Sequence, residues 1–433
     1  MAHIFNMVSG VGGSGATLTV NAPAGCTVTI IDENGKTKAS KSANSQGVAI
    51  FKGLKTGTWT VTIIDGEDLS TDTVQVDADY SMEMSFRKIY GIYRNIASSS
   101  PQWTREDNAV GKTASASIGT IARHSDFDSC YPWSGIVRET LSTGDVMVKI
   151  PKFWYQRYRD GGVEHIKIAD RAIEGFSLHP AFCHAGVEKD FLYVGAYETS
   201  GDNKSVSGAA PTVSQARSKA RGNAKSKGDG WSLIDITAVS AIQMLILVEF
   251  ANNNVQSVIG RGNCDSGSAI NTGSCDSVPN LTGIPAGTDG QTGVVWRGLE
   301  NFWGNVGSHV DGVNWNGGTY YVCNDPSKYA DGTSTNYTAL SYKGSTGWSS
   351  SFITEAGLDT GNNPHVLLAS AAGSGSETTY LCDTAQSNTG WRVCYHGGDM
   401  NNGSGDGLFF QRFYHGATGT SPTIGHRLQY IPQ

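Results

Sequence analysis

Charged residues are scarce in this chain, and their scarcity excludes several classes of protein. Only 16% of the 433 residues are Asp, Glu, Lys or Arg, and the net charge at neutral pH is -7. Nucleic-acid-binding domains usually carry a basic patch or stripe. Here basic residues cluster only between Arg217 and Lys227, so the sequence does not indicate a nucleic-acid partner.

Long apolar runs are missing as well. The longest strongly apolar stretch, residues 241–250, contains Gln243 and Glu249 and is too short to cross a bilayer. The first residues lack the charged region, apolar region and cleavage site of a secretory signal. We therefore expect a chain that is made and folded in a bacterial cytoplasm and does not insert into a membrane.

The motifs of common enzymes and metal sites do not occur. The sequence has no Cys-x-x-Cys, Gly-x-Ser-x-Gly or His-Glu-x-x-His. Its eight cysteines are dispersed, which favours buried free thiols over a Cys264–Cys275 bridge, the alternative. The stretch Asp311-Gly312-Val313-Asn314-Trp315-Asn316-Gly317 alternates oxygen ligands like a calcium loop but lacks the terminal Glu and the full spacing, so turn chemistry is favoured. We expect no metal, no cofactor and no enzymatic activity.

Residues 16–86 have the pattern of a small β-sandwich. Short β-branched runs at residues 17–20, 26–31, 47–51 and 59–64 are separated by turn signals such as Asn34-Gly35. This segment resembles immunoglobulin-like modules of the carboxypeptidase-regulatory or PEGA type, which implies a spacer or adhesion unit. Before it, the Gly-rich residues 1–15 are expected to be a flexible leader.

The rest of the chain, residues 87–433, mixes aromatic strands, helices and long polar loops. Strands are predicted at residues 146–155 and 191–197, and helices at residues 213–220 and 235–252, with Thr212 and Asp235 near their first turns. The second helix is apolar on most sides and should be buried. Basic residues near the first helix are expected to form a solvated face, with an anionic-glycan site as the alternative; they are Lys204, Arg217, Lys219, Arg221, Lys225 and Lys227.

The C-terminal residues 391–430 have the composition of a binding surface. They combine aromatic residues with Asn, Asp, Ser, His and Gly. Aromatic rings provide large contact area at low entropic cost, while small polar residues provide adaptable hydrogen bonds. His396 and His415 lack partners at a metal-ligand spacing, so this composition predicts a ligand-binding surface, with strand residues of a core as the alternative for its aromatic pairs.

The order of several motifs resembles a known fold family. Trp231-Ser232-Leu233-Ile234-Asp235 enters the buried helix, Trp303-Gly304-Asn305-Val306 follows, and Gly425-His426-Arg427-Leu428 ends the chain. Together they resemble the C-type lectin fold of formylglycine-generating-enzyme type, and most of all the variable proteins of diversity-generating retroelements and related phage tail proteins. The resemblance covers residues 88–433 and implies an α+β class: an all-β immunoglobulin-like sandwich followed by a C-type lectin domain with long loops.

Two departures from the family pattern limit what the resemblance implies. Relatives often continue Gly-Asn-Val with Trp-Glu-Trp, whereas this chain continues with Gly307-Ser308-His309. The formylglycine-generating oxidase uses a closely spaced cysteine pair, whereas Cys382 and Cys394 lie twelve positions apart. The resemblance therefore implies binding rather than oxidase activity.

In such variable proteins the C-terminal segment displays side chains that can be diversified on a fixed backbone. The resemblance implies a framework of Trp391, Arg392, Gly397, Gly398, Gly407, Leu408, Gly425, Arg427 and Leu428. It implies a ligand-binding set of Tyr395, His396, Asp399, Asn401, Asn402, Ser404, Asp406, Phe410, Arg412, Tyr414 and His415.

These expectations combine into one hypothesis about function. The chain is expected to be a receptor-binding protein at a phage tail tip or tail fibre, part of the virion, that recognises a bacterial surface protein or glycan. Its other expected partners are tail proteins and two further copies of itself, since three weak contacts gain by avidity. A bacterial surface adhesin of the same fold and a purely structural tail subunit are the alternatives.

Overall fold

A computed structural model describes residues 15–432, apart from residues 67, 85, 87 and 185. The chain divides into two compact units, residues 1–88 and 89–433. The domain boundary predicted between residues 86 and 87 lies two positions before this division. The predicted leader lies outside the described residues, except for Gly15.

The predicted α+β class is wrong, because the protein is mostly β, with 39% strand and 11% helix. Some stretches rich in small polar residues contain strands, including Thr338–Lys343 and Thr384–Ser387. Short strands of small polar residues carry little apolar periodicity, so the pattern of these stretches did not separate them from loops.

The described residues of the first unit form two sheets around one core. Buried residues of both sheets, such as Leu18 and Val61, belong to a single apolar cluster. Trp59, Val61 and Ile63 alternate inward along one strand, as the period of a half-buried strand requires. Whether this unit has an immunoglobulin-like topology stays a prediction. The three-stranded sheet has the order Val48–Leu54, Ala16–Asn21, Tyr80–Glu83, and the four-stranded sheet Thr37–Ser42, Thr27–Ile31, Gly57–Asp65, Asp68–Val76.

The described residues of the second unit form five sheets. A nine-stranded sheet carries the C-terminal segment, and Ile424–Gly425 joins it beside Gly307–Asn316. Its other strands, in order, are Thr338–Lys343, Thr319–Val322, Gly307–Asn316, Trp391–His396, Gln411–Phe413, Thr384–Ser387, Ser351–Ala356 and Ala369–Ala372.

The other four sheets of this unit are smaller. One five-stranded sheet has the order Val137–Thr140, Val146–Pro151, Phe191–Gly195, Leu428–Tyr430, Trp231–Leu233, and the other Ser177–Leu178, Trp154–Asp160, Val163–Ala169, Ile89–Asn95, Thr104–Asp107. The four-stranded sheet has the order Ser117–Ile118, Gly283–Ile284, Val295–Trp296, Leu299–Glu300, and Cys183–His184 pairs with Val187–Glu188.

Helices are few and mostly short. The α-helices are α1 (Arg217–Lys225), α2 (Ile236–Phe250) and α3 (Val255–Val258). Short 3-10 helices occupy Asp126–Ser129, Trp133–Gly135, Pro180–Phe182, Pro279–Leu281, Pro326–Lys328 and Gly403–Gly405. Among the described residues, no helix has both the length and the apolar character to span a membrane.

Helix α2 is the centre of the main core, and its prediction from the sequence is confirmed. Asp235 caps its first turn by accepting hydrogen bonds from the backbone N–H groups of Thr237 and Ala238 at 3.0 Å each. Every residue of the helix is buried. Trp133 donates from its ring nitrogen to the carbonyl of Leu245 at 3.1 Å, so neighbouring segments are fixed to α2.

Helix α1 differs from its prediction in position and surroundings. It begins four residues later than expected, and its N-cap residue Ala216 offers no side-chain hydrogen bond. Arg217 is fully buried and Arg221 is 9% exposed, so the expected solvated basic face is wrong for both. The spacing of four places both guanidinium groups on one side of the helix, where Arg221 pairs with Asp311 at 2.6 Å and Arg217 with Asp331 at 2.8 Å.

The cysteines are free thiols, as expected. Seven of the eight are buried and Cys183 is half-buried. Cys264 and Cys275 are both fully buried and do not form the alternative bridge. The thiols thus contribute as small apolar groups of the core.

Candidate functional site

Two neighbouring strands of the nine-stranded sheet carry the candidate site. Trp391–His396 pairs antiparallel with Gln411–Phe413, and Tyr395 lies directly opposite Arg412. Side chains alternate between the two faces of a strand, so Phe413 turns inward and stacks on Trp315 while Arg412 turns outward. Tyr395 and Arg412 therefore lie side by side on the same face of the sheet.

The segment between these strands, residues 397–410, is fixed to the rest of the unit. Gln256 donates from its amide to the carbonyls of Gly403 and Asp406 at 3.1 and 2.9 Å. His396 and Gln243 both donate to the carbonyl of Leu408, at 2.8 and 2.7 Å. These contacts fix the segment to the helices and strands around it.

Glycine is required where this segment turns. Gly398 has a φ of +85°, a conformation that other residues rarely adopt. A Cβ atom at this position would lie 1.6 Å from a carboxyl oxygen of Asp406. Any side chain at Gly398 would displace Asp406, which agrees with the expectation that Gly398 belongs to the framework.

Five of the eleven predicted ligand-binding residues do not face solvent. Tyr395, His396, Asp399, Asp406 and Phe410 are at most 6% exposed, so the expectation that they are displayed is wrong. That the five contact a ligand is not tested by their burial and stays a prediction.

Packing explains the burial of these five. Phe410 and Tyr395 form a small apolar cluster with Ile424. His396 packs on Phe302, with ring centroids 5.0 Å apart. The residues thus fill the space under the outer face instead of standing on it.

The other six predicted residues reach the surface, and we call them the C-terminal face. Tyr414 is 44% exposed, and its ring meets His415 edge-on at 5.3 Å. Ser404 donates to the carboxylate of Glu377 at 2.6 Å. The C-terminal face consists of Asn401, Asn402, Ser404, Arg412, Tyr414 and His415.

The positive charge of Arg412 at the C-terminal face lies close to two buried side chains, Phe410 and Asp399. The guanidinium of Arg412 lies 4.8 Å from the centre of the Phe410 ring and 3.8 Å from the carboxylate of Asp399. Burial, and then the neighbouring Arg392 and Arg412, lower the pKa of His415. His415 is therefore neutral at pH 7, and Arg412 provides the positive charge of the face.

A buried carboxyl group with a raised pKa, that of Asp406, lies beneath the face. Asp406 is fully buried. Burial, and then the neighbouring Asp399, raise the pKa of Asp406 well above its ordinary value. Among the described residues, no group of three or more His, Cys, Asp or Glu side chains is arranged to hold a metal ion.

The framework includes contacts that the sequence did not reveal. Arg427 donates to the carbonyls of Gly195, Glu300 and Asn301 at 2.6 to 3.0 Å. The amide of Asn305, in the Trp-Gly-Asn-Val motif, donates to both carboxyl oxygens of the buried Glu198 at 3.1 and 2.8 Å. Partners more than a hundred positions apart leave no signal in local spacing.

An aromatic pair beside the face was also missed. Trp391, expected to be a framework residue, is only half-buried and packs at 5.2 Å on Tyr321, which comes from another strand of the sheet. Arg392 is half-buried as well. The mixed polar and aromatic composition could have marked Trp391 as a surface residue, but Tyr321 becomes a neighbour only through the pairing of strands.

Comparisons with known proteins give no family. No protein-family model matches the chain, and no curated protein matches it. Among solved structures, the chain is similar to the Major Tropism Determinant P3c variant with 12% identity over 87% of this chain and 82% of that one, at a TM-score of 0.23. It is also similar to the full-length major pilin SpaD from Corynebacterium diphtheriae, with 14% identity over 38% of this chain at a TM-score of 0.13, and spans 54% of that pilin. Neither TM-score is high enough to show a shared fold.

Proposed function

We propose that the chain is a receptor-binding protein whose C-terminal face contacts a molecule on a bacterial surface. One observation supports this proposal. Tyr414 and Asn401 are exposed, while the backbone of the same segment is held by hydrogen bonds from side chains such as Gln256 and His396. A surface that is ordered before binding pays less entropy when a ligand arrives.

The chemistry of the face fits recognition rather than catalysis. Tyr and Arg are enriched among residues that dominate binding energy. Tyr414 offers a large ring with a hydroxyl, Arg412 a planar cation, and Asn401 an adaptable amide. These groups suit a protein or glycan receptor, and we propose a role without enzymatic activity.

The five buried residues have a supporting role in this proposal. Phe410 lies under the guanidinium of Arg412, and Asp399 lies beside it. Diversification of the segment, if the gene undergoes it, would then be tolerated at the six exposed positions and restricted at the five buried ones, because buried packing is sensitive to volume.

The proposed setting is a phage tail tip with three copies of the chain together with other tail proteins. Three equivalent faces engage a cell surface at once, so that weak single contacts give strong attachment. Light scattering on the purified chain tests this arrangement, since a monomer at micromolar concentration contradicts the homotrimer.

A binding assay with labelled protein tests the receptor-binding role. The full chain is presented to a panel of bacterial strains, and a strain that retains it is used to compare variants. Tyr414→Ala should weaken retention at least tenfold, whereas Tyr80→Ala, which removes a tyrosine of similar exposure in the first unit, should not. Equal retention of both variants contradicts the proposal and supports a structural tail subunit or another binding surface.

A further inference from the structure

A polar groove lies in the second unit and is lined by residues outside the C-terminal face. It has a volume of about 700 Å³, within the range of small-molecule sites. Its walls come from the loop after Thr319–Val322, the segment before Thr338–Lys343, and a loop at residues 362–363. Val322 and Cys323 contribute its apolar part.

The groove is unusually rich in amide side chains. Four asparagines line it, Asn324, Asn336, Asn362 and Asn363. Asn336 and Asn362 are exposed, so their amides are open to solvent. Each amide group both donates and accepts hydrogen bonds, so the groove can satisfy a ligand that does the same.

One amide has unmet capacity to accept a hydrogen bond. Asn324 donates from its amide nitrogen to Asn363 at 3.0 Å. The side-chain oxygen of Asn324 is buried and has no hydrogen-bond partner among the described residues. A buried acceptor without a partner costs free energy, but this oxygen is closed to solvent, so the groove offers a ligand the exposed amides of Asn336 and Asn362 instead.

The charges of the groove cancel locally. Lys328 and Asp325 form an ion pair at 2.9 Å, and no other charged side chain lines this groove among the described residues. An anionic ligand would find its cation already paired. A metal ion would find one carboxylate, which already accepts hydrogen bonds from Ser327. The groove therefore fits a neutral, polar ligand.

We propose that this groove binds a neutral carbohydrate through the exposed amides of Asn336 and Asn362. A sugar ring carries hydroxyl groups around its rim, and each hydroxyl both donates and accepts. The amides come from separate segments of the chain that both line the groove. A peptide main chain presents its polar groups along two edges only, and it matches this arrangement less well.

Saturation-transfer NMR on the full chain tests the proposal. The probes are glucose, galactose, mannose and N-acetylglucosamine, with an uncharged Gly/Ser peptide as the comparison. We expect transfer to at least one sugar and none to the peptide. Transfer to no sugar, or to the peptide instead, overturns the proposal.

Variants then locate the sugar. The double variant Asn336→Gly with Asn362→Ala should weaken sugar binding at least tenfold, and Gly suits position 336 because Asn336 has a φ of +66°. Asn271→Ala, which removes an exposed amide elsewhere in the second unit, should leave sugar binding unchanged. Loss with Asn401→Ala and retention in the double variant would overturn the groove assignment while agreeing with the receptor-binding role of the face.

Thermal melts of the variants exclude a folding effect. Asn336 and Asn362 are exposed, so the double variant should melt close to the parent chain. Retained cell binding with lost sugar binding would show that the two sites act separately. Sugar binding by a double variant that melts like the parent overturns the proposal.

Discussion

The guanidinium of Arg412 lies 4.8 Å from the centre of the Phe410 ring, so a cation at the surface rests on a fully buried aromatic side chain. Sequence position alone assigns both residues to the same predicted binding set. Burial gives them different environments, because Arg412 is partly exposed whereas Phe410, which precedes the strand Gln411–Phe413, packs in a buried cluster with Tyr395 and Ile424. Residues that pack beneath the C-terminal face and residues exposed on it are therefore close neighbours in the sequence.

Truncation of Phe410 should affect stability first. Phe410→Ala leaves a cavity next to Tyr395 and Ile424, and such changes cost about 3 to 5 kcal/mol of unfolding free energy. Phe410→Leu keeps most of the volume and should cost less than about 1.5 kcal/mol. Thermal and denaturant melts measure both. If Phe410→Ala melts like the parent, Phe410 is a displayed contact, as the sequence predicts.

Replacement of Asp406 should change how stability depends on pH. The pKa of Asp406 is raised in the folded state from an ordinary value of 3.8, so the folded chain holds a proton that the unfolded chain releases. The contribution of this group is complete below pH 3.8 and is lost as pH rises toward the folded pKa.

The variant Asp406→Asn removes this loss. Within the interval above pH 4, the parent loses about 1.4 kcal/mol per pH unit through this one group, and the variant does not. The difference in unfolding free energy between variant and parent should therefore shift in favour of the variant as pH rises from 4 toward the folded pKa of Asp406. Denaturant titrations at several pH values measure it, and a difference independent of pH contradicts a buried neutral carboxyl at Asp406.

Truncation of Trp303 tests whether this buried framework residue is needed for stability. Its ring is 1% exposed, and its nitrogen donates to the carbonyl of Gly260 at 3.0 Å. Trp303→Ala should lower the unfolding free energy by about 3 to 5 kcal/mol. Trp391→Ala is the matched control because Trp391 is only half-buried, and it should cost less. Equal melting temperatures for the two variants would contradict this placement of Trp303.

Strong local patterns predicted the long helix α2 well. The apolar spacing and the capping residue Asp235 placed α2 within two residues of its observed ends. Helix α1 was misplaced because its position depends on the ion pairs of Arg217 and Arg221 with Asp311 and Asp331, which lie about a hundred positions away. The α+β class failed for a similar reason, since short polar strands become strands only through their partners.

That residues 391–430 form a binding site stays a prediction, and burial divides the residues predicted for it into two groups. Composition indicated that residues 391–430 mix aromatic and polar side chains, and six of the eleven predicted residues do reach the surface. Composition cannot show which side of a strand each residue occupies. Tyr395 and His396 are adjacent and therefore face opposite ways, yet both are buried because Ile424 and Phe302 cover them from the two sides.

Substitution by Ala should have a small effect on the unfolding free energy at Asn401 and a large one at Asn305. Asn401 is exposed, so Asn401→Ala should change the unfolding free energy by no more than about 0.5 kcal/mol. Asn305 is fully buried, has a φ of +62° and donates to both carboxyl oxygens of Glu198. Asn305→Ala leaves that carboxyl without these bonds and puts Ala in a left-handed conformation, so it should cost about 2 to 5 kcal/mol. Melts of both variants decide the matter: a large loss at Asn401 would place it in the framework, and a small loss at Asn305 would mean that the Trp-Gly-Asn-Val motif does not hold Glu198.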